Sequence, residues 1–290
     1  MACSNSVSGE PENLALQRSV AQITDPELAE ISGITASTRI KDHFWVINDS
    51  GNKPELYLIN PVGQRVGELT VAGVKNYDWE DLAGIHINGQ PYLLIADIGD
   101  NFAQRDILYL HFVAELAIQE WPKERIVQPN FSIPFVYEDG ARDAEAIAVD
   151  PATNQIFILT KRDSSPRLYT VPLDTSGRQV TAHLVATLDQ HPKPSLGDII
   201  SDPRFGPYRY SPTAMAFSPA GDKAAVLGYH QLFLYQRDSN QSWPEAFARS
   251  PRVLWQHNLK QAEAATFTVD GNSVLVTSEK LPAPLIEVGL

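Results

Sequence analysis

The chain of 290 residues carries 35 acidic against 23 basic side chains, a formal net charge of -12, with 43% apolar and 20% charged residues. Such a composition builds a core and excludes disordered, fibrous and coiled-coil chains, and the length fits one large all-β barrel, sandwich or propeller. The surplus of acid argues against a nucleic-acid partner, which calls for a basic surface, and suits cations instead.

The chain opens on small, polar residues around its single cysteine, Cys3. One cysteine excludes an internal disulfide framework and Cys-based zinc motifs. Two readings of Cys3 stand side by side: an incidental exposed thiol, or the lipid-attachment cysteine of a bacterial lipoprotein in the periplasm or cell envelope. Residues 1–17 are expected to form a flexible tether ahead of a single domain over 18–290. No apolar run approaches the ~18 residues needed to span a membrane, so no transmembrane segment is expected.

After a β-rich stretch at Ser19–Thr24, a short motif recurs at Glu30–Thr35, Asp78–Ala83, Asp143–Val149, Ser211–Phe217 and Gln261–Phe267. Its third position places Ser32, Glu80, Glu145, Thr213 and Glu263 in one register, at spacings of 48, 65, 68 and 50 residues. Each copy is followed by a second β-rich run, such as Phe44–Ile47 or Ile156–Leu159, and a third, such as Leu56–Ile59 or Leu168–Val171. Turn formers such as Asn88-Gly89 and Asp270-Gly271-Asn272 separate the runs. A fourth run closes four units, at Arg65–Val71, Phe131–Tyr137, Ala182–Leu188 and Arg252–His257. Repeated four-stranded units of about 50 residues predict an all-β fold, a β-propeller of five blades. Six is the alternative, if Ser195–Tyr210 conceals a degenerate blade instead of a loop. The fifth unit lacks its own fourth run, so the N-terminal stretch is expected to supply its outer strand and close the ring. A short helix is expected within Ala114–Arg125.

The acidic-x-Glu motif, its degenerate Ser-Gly first copy and the final Gln-Ala-Glu copy resemble the SdiA-regulated family of bacterial β-propellers, which are similar to calcium-dependent phytase-like propellers. The resemblance implies an envelope protein of poorly defined role that binds calcium near the central tunnel.

In a propeller the first strand of each blade lines the channel, and the end of the second strand returns to the same mouth. Candidate metal ligands are therefore Glu30, Asp49, Asp78, Glu80, Asp97, Asp100, Asp143, Glu145, Glu263 and Glu279, with Asp81 expected at the same mouth. So many carboxylates repel one another unless a cation or proton sits among them, and an all-oxygen donor set suits calcium. The seven histidines show no clustered ligand pattern, which argues against zinc. Asp, Asn and Gly also make tight turns, so Asn48–Gly51 and Asp97–Asn101 have a purely structural reading as well. Trp79 is expected to wedge between blades or to line the pocket. The first functional reading is a calcium-binding propeller without catalysis. A second is a calcium-dependent phosphoester hydrolase acting on a phosphorylated small molecule, with Glu80, Asp97, Glu145, Lys161 and Arg162 as candidate catalytic residues. A third is a scaffold for a protein partner. The chain is expected to be a monomer.

Overall fold

The computed structural model describes residues 17–290; Cys3, and with it the expectation of lipid attachment, lies outside the described residues. Strand β1 (Gln17–Ile23) starts one residue inside the expected tether and two residues ahead of the expected closing segment. The first motif copy then opens a meander of β2 (Ile31–Ala36), β3 (Phe44–Asn48), β4 (Glu55–Ile59) and β5 (Arg65–Val71). The second unit is β6 (Trp79–Ile87), β7 (Gln90–Asp97) and β8 (Leu108–Ala114), completed after the two-residue β9 (Ile126–Val127) by β10 (Phe131–Tyr137). The third is β11 (Ala144–Val149), β12 (Ile156–Thr160), β13 (Arg167–Val171) and β14 (Val180–Thr187). Then come β15 (Pro212–Phe217), β16 (Lys223–Gly228), β17 (Gln231–Gln236) and β18 (Arg252–Gln256). The last unit is β19 (Ala262–Phe267), β20 (Ser273–Ser278) and β21 (Ala283–Gly289), with β1 antiparallel to β21 along its outer edge.

The burial of each strand follows its place. β3 and β12 are buried on both faces, which is why they read as unbroken apolar runs, whereas the outer β5 and β10 alternate between buried and partly exposed residues. The first strands lie side by side in the order β2, β6, β11, β15, β19 and β2 again. Apolar clusters fill the spaces between neighbouring sheets; one joins Ala146 and Leu159 to Met215 and Phe233 and is covered by helix α2 (Trp243–Phe247). Four-stranded meanders packed face to face around neighbouring first strands make the protein an all-β propeller.

Three segments add features beyond the repeat pattern. Ser195–Tyr210 contains no strand; it folds as helix α1 (Leu196–Ser201), capped by Ser195, and a 3-10 turn at Gly206–Tyr208. The helix expected within Ala114–Arg125 is a single 3-10 turn at Ile118–Glu120, after which β9 pairs in parallel with the outer edge of β5. The outer strands β10 and β14 also pair in parallel, joining two units into one eight-stranded sheet. Both pairings cover edges that would otherwise be open to another chain.

A backbone irregularity recurs at one place. In all five first hairpins the register shifts across the third motif residue, so that Ser32, Glu80, Glu145, Thr213 and Glu263 each fall out of the ladder as a β-bulge. Bulges of this kind turn a side chain away from the sheet. Where the residue is Ser32 or Thr213, its hydroxyl donates to the next first strand, at 2.7 Å to the Trp79 carbonyl and 2.7 Å to the Ala262 carbonyl.

Asp81 departs from its expected place at the mouth. Its carboxylate lies inside the channel, 1% exposed, and accepts from the backbone N–H groups of Leu82 (2.8 Å), Ile147 (2.9 Å) and Met215 (3.4 Å). It thereby ties β6 to β11 and β15 across the axis. Burial pushes its carboxyl well up, opposed by those three donors.

Ile23 of β1 is fully buried against Leu285 and Leu275 of the last sheet. Ile23→Ala is expected to cost about 2–5 kcal/mol, a fall of roughly 3–8 °C in thermal midpoint. An unchanged midpoint would show that β1 is not integral to the sheet.

Candidate functional site

Two sets of side chains meet at the mouth where the first strands begin. One is the bulge set, of which Glu80, Glu145 and Glu263 carry charge. The other follows the second strands, where the backbone N–H groups of Asp49, Gly99, Lys161 and Glu279 return to the carbonyls of Glu30, Asp78, Asp143 and Gln261. Tyr229 stands directly after β16, the matching point of the fourth unit.

Asp49, Asp78 and Glu80 form the tightest acidic group, with one carboxylate oxygen from each within 4.8 Å of the others. Gly99 makes room for it. A Cβ there would lie 2.2 Å from Glu80 Oε1 and 2.4 Å from Asp78 Oδ2, so any larger residue would displace both acids. Burial raises the Asp49 carboxyl to about 7, aided by Asp78, Glu263 and Glu30 and opposed by the Ser50 N–H. Burial likewise pushes Glu80 well up, with Glu145, Asp49 and Asp78 adding to it and Lys161 opposing. None of the three makes an ion pair with Lys or Arg among the described residues.

Beside this trio lies a buried network around Lys161. Its ammonium pairs with Glu145 and donates to Tyr229 Oη at 2.8 Å, and Tyr229 in turn donates to Glu263 Oε1 at 3.3 Å. Burial pulls the Lys161 ammonium down, but Glu145, Tyr229, Glu263 and Glu80 outweigh it and hold it well above its usual value. Burial raises Glu145 and Glu263 to about 8 each. Lys161 and Glu279 add to the effect at Glu263 with opposite signs, and Glu279 also takes a hydrogen bond of 2.5 Å from Gln261 Nε2.

The other candidates hold the scaffold. Asp97 is fully buried, pairs with Arg105 at 2.7 Å and accepts from the Asp78 N–H, which positions the trio from behind. Asp100 caps its own loop by accepting from the N–H groups of Gln104 and Arg105, both at 2.8 Å. Asp143 accepts from the Asp100 N–H at 3.0 Å and pairs with Arg162 at 2.5 Å. Arg162 also donates to Asn101 and stacks over the Tyr208 ring. Glu30 is exposed at the rim, bonded to Asn52 Nδ2 at 2.7 Å. Trp79 is fully buried in the core cluster beside Leu82 and Leu93, so it packs and does not line the site.

Tyr229 was not singled out by the sequence, and Gln261 and Gly99 entered only as a motif residue and a turn residue. The signal for Tyr229 was its position after the second strand of the fourth repeat, the place taken by Asp49, Lys161 and Glu279 in the others. A search restricted to carboxylates and bases passes over it.

Fold and site together define a β-propeller with an acidic mouth built on its bulged first strands. No family model matches the chain, and no curated protein matches it. Among solved structures it is similar to the β-propeller domain of Cps50 (Swd1) from Myceliophteria thermophila, at 12% identity and a TM-score of 0.41, over 91% of this chain and 67% of that one.

The raised carboxyls set a pH dependence. A group with a higher pKa in the folded state stabilises the fold fully below its unfolded value and loses that contribution as pH rises through the folded one. For Asp49 the window runs from 3.8 to about 7, and for Glu145 and Glu263 from 4.5 to about 8. His111, His191 and His257 act oppositely: burial lowers each from 6.5 to about 4, so their contribution grows with pH up to 6.5. Above that value only the carboxyls act. In chelator, the thermal midpoint is expected to fall from about pH 6.5 to pH 8, and Glu263→Gln to flatten the slope; a midpoint that rises over this interval contradicts the assignment.

Proposed function

We propose that the protein is a five-bladed propeller, closed by β1, that binds a divalent cation, calcium, at Asp49, Asp78 and Glu80. The observation that carries the proposal is a contrast in pairing. Asp97, Asp143 and Glu145 each hold an Arg or Lys, whereas the trio holds none and is pressed together against the Gly99 backbone. Three carboxylates from two neighbouring units, with the Ser50 loop beside them, offer the oxygen-only donors that suit calcium, and no sulfur or imidazole. Bound calcium would supply positive charge to the mouth, and the chain's own part is to hold the three acids converged.

The proposed role is binding without catalysis: Lys161 and Arg162, the two cations of the phosphoester reading, are both engaged by acids of the fold. The same proposal puts the protein in the bacterial cell envelope, on the strength of the sequence resemblance and of Cys3.

A ligand that binds only the folded state raises stability by mass action, about 2.7 kcal/mol at a hundredfold excess over Kd, or roughly 5 °C here. Calcium is expected to raise the thermal midpoint of the chelator-treated protein by that order. Glu80→Gln should raise the calcium-free midpoint, by relieving repulsion, and abolish the calcium shift, while Glu30→Gln keeps it. No shift of the unaltered protein at millimolar calcium overturns the proposal.

A further inference from the structure

The far end of the channel is unlike the acidic mouth. A cavity of about 710 Å³ opens there between the C-terminal ends of the first strands, walled by Ile34, Leu82, Ile85, Ala148, Val149 and Phe217. Its innermost ring includes Ile147 and Met215, whose N–H groups are held by Asp81, and none of the acids of the opposite mouth lines it. It is a cup with a floor of tied strands. The size lies within the roughly 300–1,000 Å³ of small-molecule sites, which are walled by apolar side chains with a few placed polar groups.

The rim is fixed in advance. Glu115 is buried and accepts from the Ser37 hydroxyl, the N–H groups of Thr38 and Arg39, and the Trp45 indole at 3.1 Å, so the loop bordering the cup is held by one carboxylate. On this rim Arg39 lies 2.9 Å from both Glu120 oxygens, while Lys41 and Asp42 stand exposed to solvent, 4.0 Å apart. Outside the Arg39–Asp42 loop the lining holds no Asp, Glu, Lys or Arg, so a charged ligand would lose its hydration on entry without an ionic partner on the walls. Two buried hydroxyls line the wall on neighbouring strands, Thr35 of β2 and Thr266 of β19, the latter in only a long contact of 3.4 Å with the Phe267 carbonyl.

We infer that the cup is a second binding site, independent of the acidic mouth, for an uncharged, mainly apolar small molecule bearing a hydroxyl or carbonyl group. The apolar body is driven in by burial against the strand walls, and the two threonines take the polar group.

Gly84 gives the means to test it. A Cβ at this exposed wall position meets only Thr35 Oγ1, at the ordinary distance of 3.6 Å, so a larger side chain projects into the cup without striking the fold. The neutral fluorophore N-phenyl-1-naphthylamine is expected to bind the whole protein saturably, one to one, and Gly84→Phe to weaken it at least about tenfold with unchanged circular dichroism. Dodecanol should displace the fluorophore about tenfold better than dodecanoate or dodecylamine. Thr266→Val should weaken dodecanol by about two- to tenfold and leave the fluorophore's affinity as it was. Non-saturable binding, full-strength binding to folded Gly84→Phe, or equal displacement by the charged chains overturns the inference. Should Gly84→Phe misfold, the Thr266→Val arm decides, and unchanged dodecanol displacement there overturns it.

Discussion

The β-bulge near the start of each first strand is the constraint from which the rest of this structure follows. An extra residue in an antiparallel ladder has no partner opposite it, and its side chain is free to leave the plane of the sheet. Here the extra residue always falls at the same motif position, at the end of the channel. The chemistry of that one residue then decides what the unit contributes. Ser32 and Thr213 reach sideways and hold neighbouring first strands by a carbonyl, whereas Glu80, Glu145 and Glu263 bring carboxylates to a shared opening. Cohesion between units and accumulation of charge are thus alternative uses of one backbone device.

The accumulated charge is unevenly answered around the opening. On the side of the third unit, Lys161 sits among Glu145, Tyr229 and Glu263, and a single ammonium compensates much of the local repulsion. Further along, Arg105 and Arg162 neutralise acids that brace loops. Toward the first and second units the opening holds three clustered acids with no ion-pair partner among the described residues, and there the chain also omits a side chain at Gly99. Burial without compensation is costly, so such a group takes up protons or a cation from solution.

The sequence made the architecture legible because strand-turn-strand periodicity survives in every unit, and the bulge position was visible as a column of Ser, Glu, Glu, Thr and Glu. It did not show which acids face the opening. Asp143 shares residue type and register with Asp78, and Asp97 and Asp100 sit at the same second-strand end as Asp49, yet their partners, Arg162, Arg105 and the Gln104 N–H, are set by loop conformation. The parallel pairing of β10 with β14 was also hidden, because it joins strands of different repeats whose alternation is the same as that of any outer strand. Helix α2 was overlooked although Ser242 and Glu245 form a capping box, a local signal outweighed by the β-rich text around it.

Asp81 gives the axis of the molecule a different meaning from that of a pore. With its carboxylate fastened to backbone of three units, the middle of the channel is a septum, and the two ends are separate chambers with opposite solvent preferences, one ionic and one oily. The units on either side of the septum cannot slide past each other without stripping a buried carboxyl of its donors. The first strands connect the two ends directly. The six residues of a first strand such as β11 are the whole distance between an acid at one end and an apolar wall at the other.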